Sequence, residues 1–150
     1  GEVVHILRKF GILYARTTVS TRSFAIPQNW LLMPATCHHN DAQLMQLVDK
    51  FLNEPQRYPN PQLFYLWGHS YEFDNNDNWD RIEAILQILA GREDTWYPTN
   101  IQLRDYVAAY ESLIFSADGN LIYNPTLQEI WLNVDGTGHS IKPGETLTLV

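Results

Sequence analysis

A single cysteine, Cys37, is all the thiol chemistry in 150 residues. An intrachain disulfide is therefore excluded, and the redox compartment cannot be read from cysteine usage. Basic side chains are also scarce, with ten Lys and Arg against seventeen Asp and Glu and a formal net charge of −7. They never cluster, so the electrostatic footprint needed for nucleic acid or an anionic lipid surface is missing. No apolar run reaches the roughly 18 residues of a membrane span. No charged-then-apolar leader with a small-residue cleavage site opens the chain, and a soluble domain is expected. Phosphate-cradling glycine loops, GxSxG, HExxH and paired CxxC motifs are absent as well.

What is present is a foldable, aromatic-rich chain. Apolar residues make up 45% and charged residues 18%, inside the globular range and outside the disordered one. A chain of this length buries roughly 70% of its unfolded surface and needs no staple. Five Trp, eight Tyr and six Phe supply many aromatic faces, and those outside a core are what sugar rings and other flat apolar ligands pack on.

Periodicity divides the chain into an α/β region, residues 1–111, and a β-hairpin tail, residues 112–150, packed on the same domain. Val3, Val4, Ile6, Leu7 and Phe10 recur at helical spacing and stop at Gly11. A strand is predicted over 12–19 and a second over 30–36, weakened by Pro34. Asn40 is positioned to cap a helix whose face is Leu44, Leu47, Val48, Phe51 and Leu52. A turn-rich connection, 54–61, leads to the apolar run 63–68, which reads as a strand buried on both faces of a parallel sheet. The polar segment 69–78 holds the densest group of acids and amides and precedes a helix bearing Trp79, Ile82, Ile85, Leu86 and Leu89 and ending at Gly91. A short strand is predicted over 95–97. Thr99 and Gln102 have capping-box spacing, and they open a helix with Ile101, Leu103, Tyr106, Val107, Tyr110 and Leu113 as its stripe. Beyond residue 112 the period becomes two, and Asp118-Gly119 and Asp135-Gly136 mark hairpin turns in a tail of about four strands.

Polar clusters follow the predicted strands, where ligands bind in sheets of parallel strands joined by helices. One is Thr36 to Asp41, with Cys37, His38 and His39; another is His69 to Asp74, with Tyr71 and Glu72. Imidazoles beside carboxylates suit proton transfer or metal binding, because the carboxylate fixes the ring tautomer and raises its basicity. Each group also has a purely structural reading. His69 can serve a loop carbonyl and Cys37 can be an inert buried thiol. His38 and His39 can cap a helix; as neighbours on a strand they are expected to point to opposite faces, so that at most one serves a site. Glu72 and the acids after it can complement a helix N-terminus. Arg16, inside an apolar strand, needs a partner, and a structural ion pair is the plain expectation.

The segments LRKFGILYARTT, PATCHHND with a helix ending VDKFL, LFYLWGHSYEF with NWD after it, and TWYPTNIQLRDYVAAY resemble the later portion of bacterial polysaccharide deacetylases of the NodB-homology class. The resemblance runs from about residue 3 to 133 and is most specific in WGHSYEFD and WYPTN. It implies a distorted (β/α) barrel, present here as a partial barrel or an open, mostly parallel sheet. It also implies hydrolysis of acetyl groups on carbohydrate, with a divalent metal, usually zinc, activating water. Leu66-Trp67-Gly68-His69 matches that family's last motif, a Leu-x-His strand end, with one residue of extra spacing. Carried over, His69 is the general acid, and Arg16 and Glu72 organise the site.

That family's Thr-Phe-Asp-Asp and His-x-x-x-His motifs, which supply base and metal ligands, do not occur here. The resemblance thus implies a metal-binding half upstream or on a partner chain, or a substitute metal site assembled from His38, His39, His69, Asp41 and Glu72, with His38 and His39 as its foremost ligands. The competing expectation is a non-catalytic remnant that binds sugar or protein through Trp67, Tyr71, Trp96 and Tyr97, and a third is assembly through unpaired sheet edges. A carbohydrate substrate suits a periplasmic or extracellular setting; the sequence leaves the cytoplasm equally open.

Overall fold

The computed structural model describes residues 1–54 and 60–149, so most of the turn-rich connection at 54–61 lies outside the described residues. The chain is mixed α/β with several small sheets, and the described residues form no closed barrel. It divides into two compact units, Gly1–Trp96 and Tyr97–Val150.

The first unit opens with α1 (Glu2–Lys9), and Gly11 ends it as its spacing predicts. Gly11 adopts φ +70°, its N–H bonds to the Arg8 carbonyl, and the Ile12 N–H reaches back to Leu7 at 3.0 Å. That is a complete Schellman closure, which needs a residue free of Cβ strain at the left-handed position. The strand expected over 12–19 starts later, as β1 (Arg16–Ser20). The segment expected as a strand over 30–36 starts with a 3-10 turn, Trp30–Leu32, capped by Asn29, and then forms β2 (Met33–Ala35). β2 lies parallel to β1, its sole ladder partner among the described residues, which is how Pro34 is tolerated.

One residue further on, β3 (Cys37–His38) pairs in parallel with β4 (Leu66–Trp67). Thr36 makes the hand-over. Its carbonyl accepts from Arg22 N–H, its N–H donates to the Tyr65 carbonyl, and its single hydroxyl proton lies between the carbonyls of Ser23 and Leu63, at 3.1 and 3.3 Å. The parallel pairing agrees with the sequence reading of 63–68, but only two of those residues enter a ladder and all five from Leu63 to Trp67 are half-buried rather than covered on both faces.

α2 (Leu44–Asn53) buries Leu44, Leu47 and Val48 as predicted. Its start is fixed by Asp41 rather than Asn40, because Asp41 accepts from the N–H groups of both Gln43 and Leu44. The polar segment 69–78 is mostly helix, which periodicity does not show: α3 (Ser70–Asn76) precedes α4 (Trp79–Leu89). Phe24, Cys37, Leu44, Leu47, Val48 and Ile85 form the core, with Phe51, Leu52, Phe64, Leu66 and Leu89 against it. Residues 95–97 form no ladder, so the short strand expected there is absent.

In the second unit, Thr99 and Gln102 make the predicted capping box of α5 (Asn100–Glu111): the Thr99 N–H donates to Gln102 Oε1 at 2.8 Å and the Thr99 hydroxyl accepts from the Gln102 N–H. Five strands follow instead of four: β5 (Ile114–Phe115), β6 (Leu121–Tyr123), β7 (Ile130–Val134), β8 (Thr137–Ile141) and β9 (Thr146–Thr148). β5-β6-β9 and β7-β8 are antiparallel sheets. Asp135 and Gly136 both take positive φ, 51° and 86°, the two-residue turn that Asp-Gly favours. The extra strand follows Pro143-Gly144, where Gly144 at φ +74° and the Glu145 N–H to Lys142 carbonyl bond close a tight turn. Ala109 and Leu113 pack with Ile122, Ile130, Leu132 and Ile141 in a core of this unit's own.

Candidate functional site

The site grows out of the parallel pair β3–β4. His38 lies opposite Trp67, and the His39 N–H donates to the Trp67 carbonyl at 2.9 Å, so both strands open at the same end. Cys37 is fully buried in the core, and strand alternation turns His38 the other way. His39 is already in the turn that follows β3. Freed from strand alternation, its ring swings to the same carboxylate as His38, which corrects the expectation that the two imidazoles serve opposite faces.

That carboxylate is Glu72. β4 passes through Gly68 and His69 directly into α3, with His69 as N-cap and Glu72 three residues on. Glu72 accepts from the His69 backbone N–H at 2.9 Å, the return half of a capping box. The same oxygen, Oε2, lies 2.8 Å from His39 Nε2, 3.2 Å from His38 Nε2 and 3.4 Å from His69 Nδ1. The His39 side chain is 3% exposed and that of His69 47%, so the cluster runs from a buried floor to an open rim. Phe73 packs under His39 at 4.3 Å between ring centroids, Trp67 meets His38 edge-on at 4.5 Å, and Tyr71 stacks on His69 at 5.1 Å.

Hydrogen bonds from His39 and from the His69 N–H hold the Glu72 carboxyl down to about 2, so it is ionised at neutral pH. The His38 pKa is lowered below the ordinary imidazole value by burial, reinforced by the neighbouring His39 and only partly opposed by Glu72. His38 Nδ1 accepts from the Asn40 N–H at 3.1 Å, so the neutral ring carries its proton on Nε2 and donates it to Glu72. The buried Nδ1 of His39 has no hydrogen-bond partner among the described residues, and the contact of Nε2 with the ionised Glu72 at 2.8 Å places the neutral ring's proton on Nε2.

The other predicted residues fall as follows. Arg16 makes no ion pair among the described residues; its guanidinium sits over the Trp67 ring at 4.3 Å and donates to the Thr17 carbonyl. The charge is exposed on the strand rather than buried, so an aromatic face serves where a carboxylate was expected. Trp67 and Tyr71 belong to the cluster's surround, whereas Trp96 and Tyr97 are exposed, the last residue of the first unit and the first of the second. Asp41 is taken by a two-pronged pair with Arg22, at 3.0 and 3.2 Å, which lowers its pKa and anchors the turn after His39. Burial pushes the Cys37 thiol up to about 11, so it stays protonated and inert.

Sequence reasoning missed Gly68. A Cβ at this position would overlap the His39 ring, so glycine is what lets the imidazole pass beneath the strand end. The available signal was a glycine between Trp67 and His69 at the end of an apolar run, since strand glycine often marks close approach.

His38, His39 and Glu72 offer one ligand atom each, all within 4.8 Å of one another. Ligands around a tetrahedral zinc with bonds of about 2.0–2.1 Å are separated by about 3.3–3.4 Å. The observed nitrogen–oxygen spacings of 2.8 and 3.2 Å therefore admit the ion after a slight opening. Two imidazoles and one carboxylate form a donor set that fits zinc and leaves a fourth position open. No family model, curated protein or solved structure matches this chain.

Proposed function

We propose that this chain is a polysaccharide deacetylase-like domain, hydrolysing acetyl groups on carbohydrate. The observation that carries the reading is the convergence of His38, His39, His69 and Glu72 at the carboxyl ends of two parallel strands, beside Trp67 and Tyr71. The successive ladders β1–β2 and β3–β4 are read here as an arc of a (β/α) barrel. In that architecture strand ends carry the chemistry.

Each residue has a role that follows from its surroundings. Glu72, ionised and beside His69 Nδ1, orients that ring and leaves Nε2 as the atom that gives a proton to the leaving amine or alcohol. Tyr71 is 56% exposed and stacked on His69, which sets an aromatic face where a sugar ring would lie. Arg16 covers Trp67 and holds that indole against His38. A divalent ion held by His38, His39 and Glu72 would lower the pKa of a bound water and so supply the nucleophile.

The test is acetate release from acetylated chito-oligosaccharide and acetylated xylan, by the zinc-supplemented chain and by His69→Ala. Release that falls at least about 100-fold in the variant supports the assignment. No release by the zinc-loaded chain overturns it.

One observation favours a second reading, carbohydrate binding without turnover: Glu72 Oε2 already has three imidazole nitrogens and a backbone N–H around it. Glycan binding that is lost in Tyr71→Ala, in a chain that releases no acetate, would select that reading.

A further inference from the structure

We infer that His38, His39 and Glu72 form a zinc site whose occupation switches His38 from its Nε2–H to its Nδ1–H tautomer and frees the Asn40 N–H. The inference deepens the metal part of the proposed function, and it can fail or succeed independently of catalysis. The ligand atoms lie within 4.8 Å of one another, and the residues come from two elements that a parallel ladder and a capping bond hold together. His39 is seated with 3% of its side chain exposed, between Phe73 and the open flank of Gly68, and its Nδ1 is buried without a partner. Its Nε2–H faces the ionised Glu72 at 2.8 Å, and moving that proton to the partnerless Nδ1 breaks no second hydrogen bond, so Nε2 can present its lone pair to a metal.

His38 differs because its Nδ1 is occupied as an acceptor by the Asn40 N–H at 3.1 Å. In the metal-free chain Nε2 must therefore hold the ring proton and point it at Glu72, 3.2 Å away. A zinc ion takes the Nε2 lone pair, so the single proton of the neutral ring has to reside on Nδ1. Two N–H groups cannot face each other across 3.1 Å, so the Asn40 peptide must turn or shift. Asn40 stands in the turn between His39 and Asp41, and Asp41 is fixed by Arg22 and starts α2. The movement falls on the His38–Asp41 turn, between two anchored ends.

The experiment is a titration of the chelator-stripped full chain with zinc. Competition against a chromogenic chelator gives the affinity, and long-range nitrogen–proton NMR of the histidine rings gives the tautomers. The expected result is one zinc per chain with a dissociation constant below about 10 μM, with His38 reading Nε2–H before and Nδ1–H after addition. The Asn40 amide should be among the most shifted. His38→Ala and Glu72→Gln should each weaken binding about 100-fold or more, beyond the cost of losing a secondary contact, while His5→Ala, on α1, leaves it unchanged. Absence of binding overturns the inference, as does equal affinity in His38→Ala and Glu72→Gln or an unchanged His38 tautomer. Zinc binding with these signatures but no acetate release defeats the hydrolase reading alone; acetate release by metal-stripped chain with no zinc binding defeats this inference alone.

Discussion

Glu72 is both a helix cap and the point where the imidazoles meet, and the two duties have a common pH dependence. Its folded pKa of about 2 is below the ordinary 4.5, so its stabilising effect is complete above about 4.5 and is lost as pH falls through about 2. His38, with a lowered pKa, is protonated more readily in the unfolded chain, so stability also declines as pH drops below the ordinary 6.5. In the presence of chelator, urea midpoints of the full chain should fall from pH 7 towards pH 2, and Glu72→Gln should flatten the segment below 4.5. An equally steep decline in that variant would refute the role of the carboxylate. Gly68→Ala belongs to the same scale: the added methyl meets the His39 ring, and overpacking of this kind costs roughly 1–3 kcal/mol. Denaturant unfolding should show that loss together with altered His39 ring resonances.

Among the elements, the ones legible in the sequence are those whose cause is local. Gly11 closing α1, Thr99 with Gln102 opening α5, and Asp135-Gly136 turning β7 into β8 each depend on a few adjacent residues and occur as read. Elements set by distant partners were not legible. The run 63–68 is apolar throughout, yet its ladder is two residues long, because the partner stretch after Thr36 reaches only to His38 before turning. The segment 70–76 is polar, yet it is helical because Glu72 returns to the His69 N–H and Phe73 is buried beneath His39. The candidate site was half legible for the same reason. The histidines and Glu72 stand out as residue types, but their convergence on one oxygen depends on the turn at His39 and on Gly68. For α5 the local cause is directly testable: Thr99→Ala removes the N-cap acceptor and should cost about 1 kcal/mol in thermal or urea unfolding, with Thr99→Ser retaining most of the stability.

At the scale of the whole molecule, each unit has its own core, and each core has one residue on which its chemistry or topology depends. In the first unit the chain stretch that buries Cys37 also carries His38, so the floor of the site and the hydrophobic core share a strand. Leu44, 1% exposed, packs in that core, and Leu44→Ala should cost about 2–5 kcal/mol. Hydrogen exchange should show the loss at the β3 and α2 amides. In the second unit Asn124 is fully buried. Its amide donates to the carbonyls of Gln128 and Ile141, and its side-chain oxygen accepts from Thr126 N–H and hydroxyl. It ties the segment after β6 to the end of β8, with every side-chain donor and acceptor satisfied inside the protein. Asn124→Ala removes the amide donor to both carbonyls and the acceptor of the Thr126 N–H, leaving the Gln128 carbonyl only the Thr126 hydroxyl, and losing partners in this way costs about 1–3 kcal/mol. The expected result is faster exchange of the Ile122 and Ile141 amides and a lower unfolding midpoint, whereas unchanged protection there would mean that apolar packing alone holds this unit together.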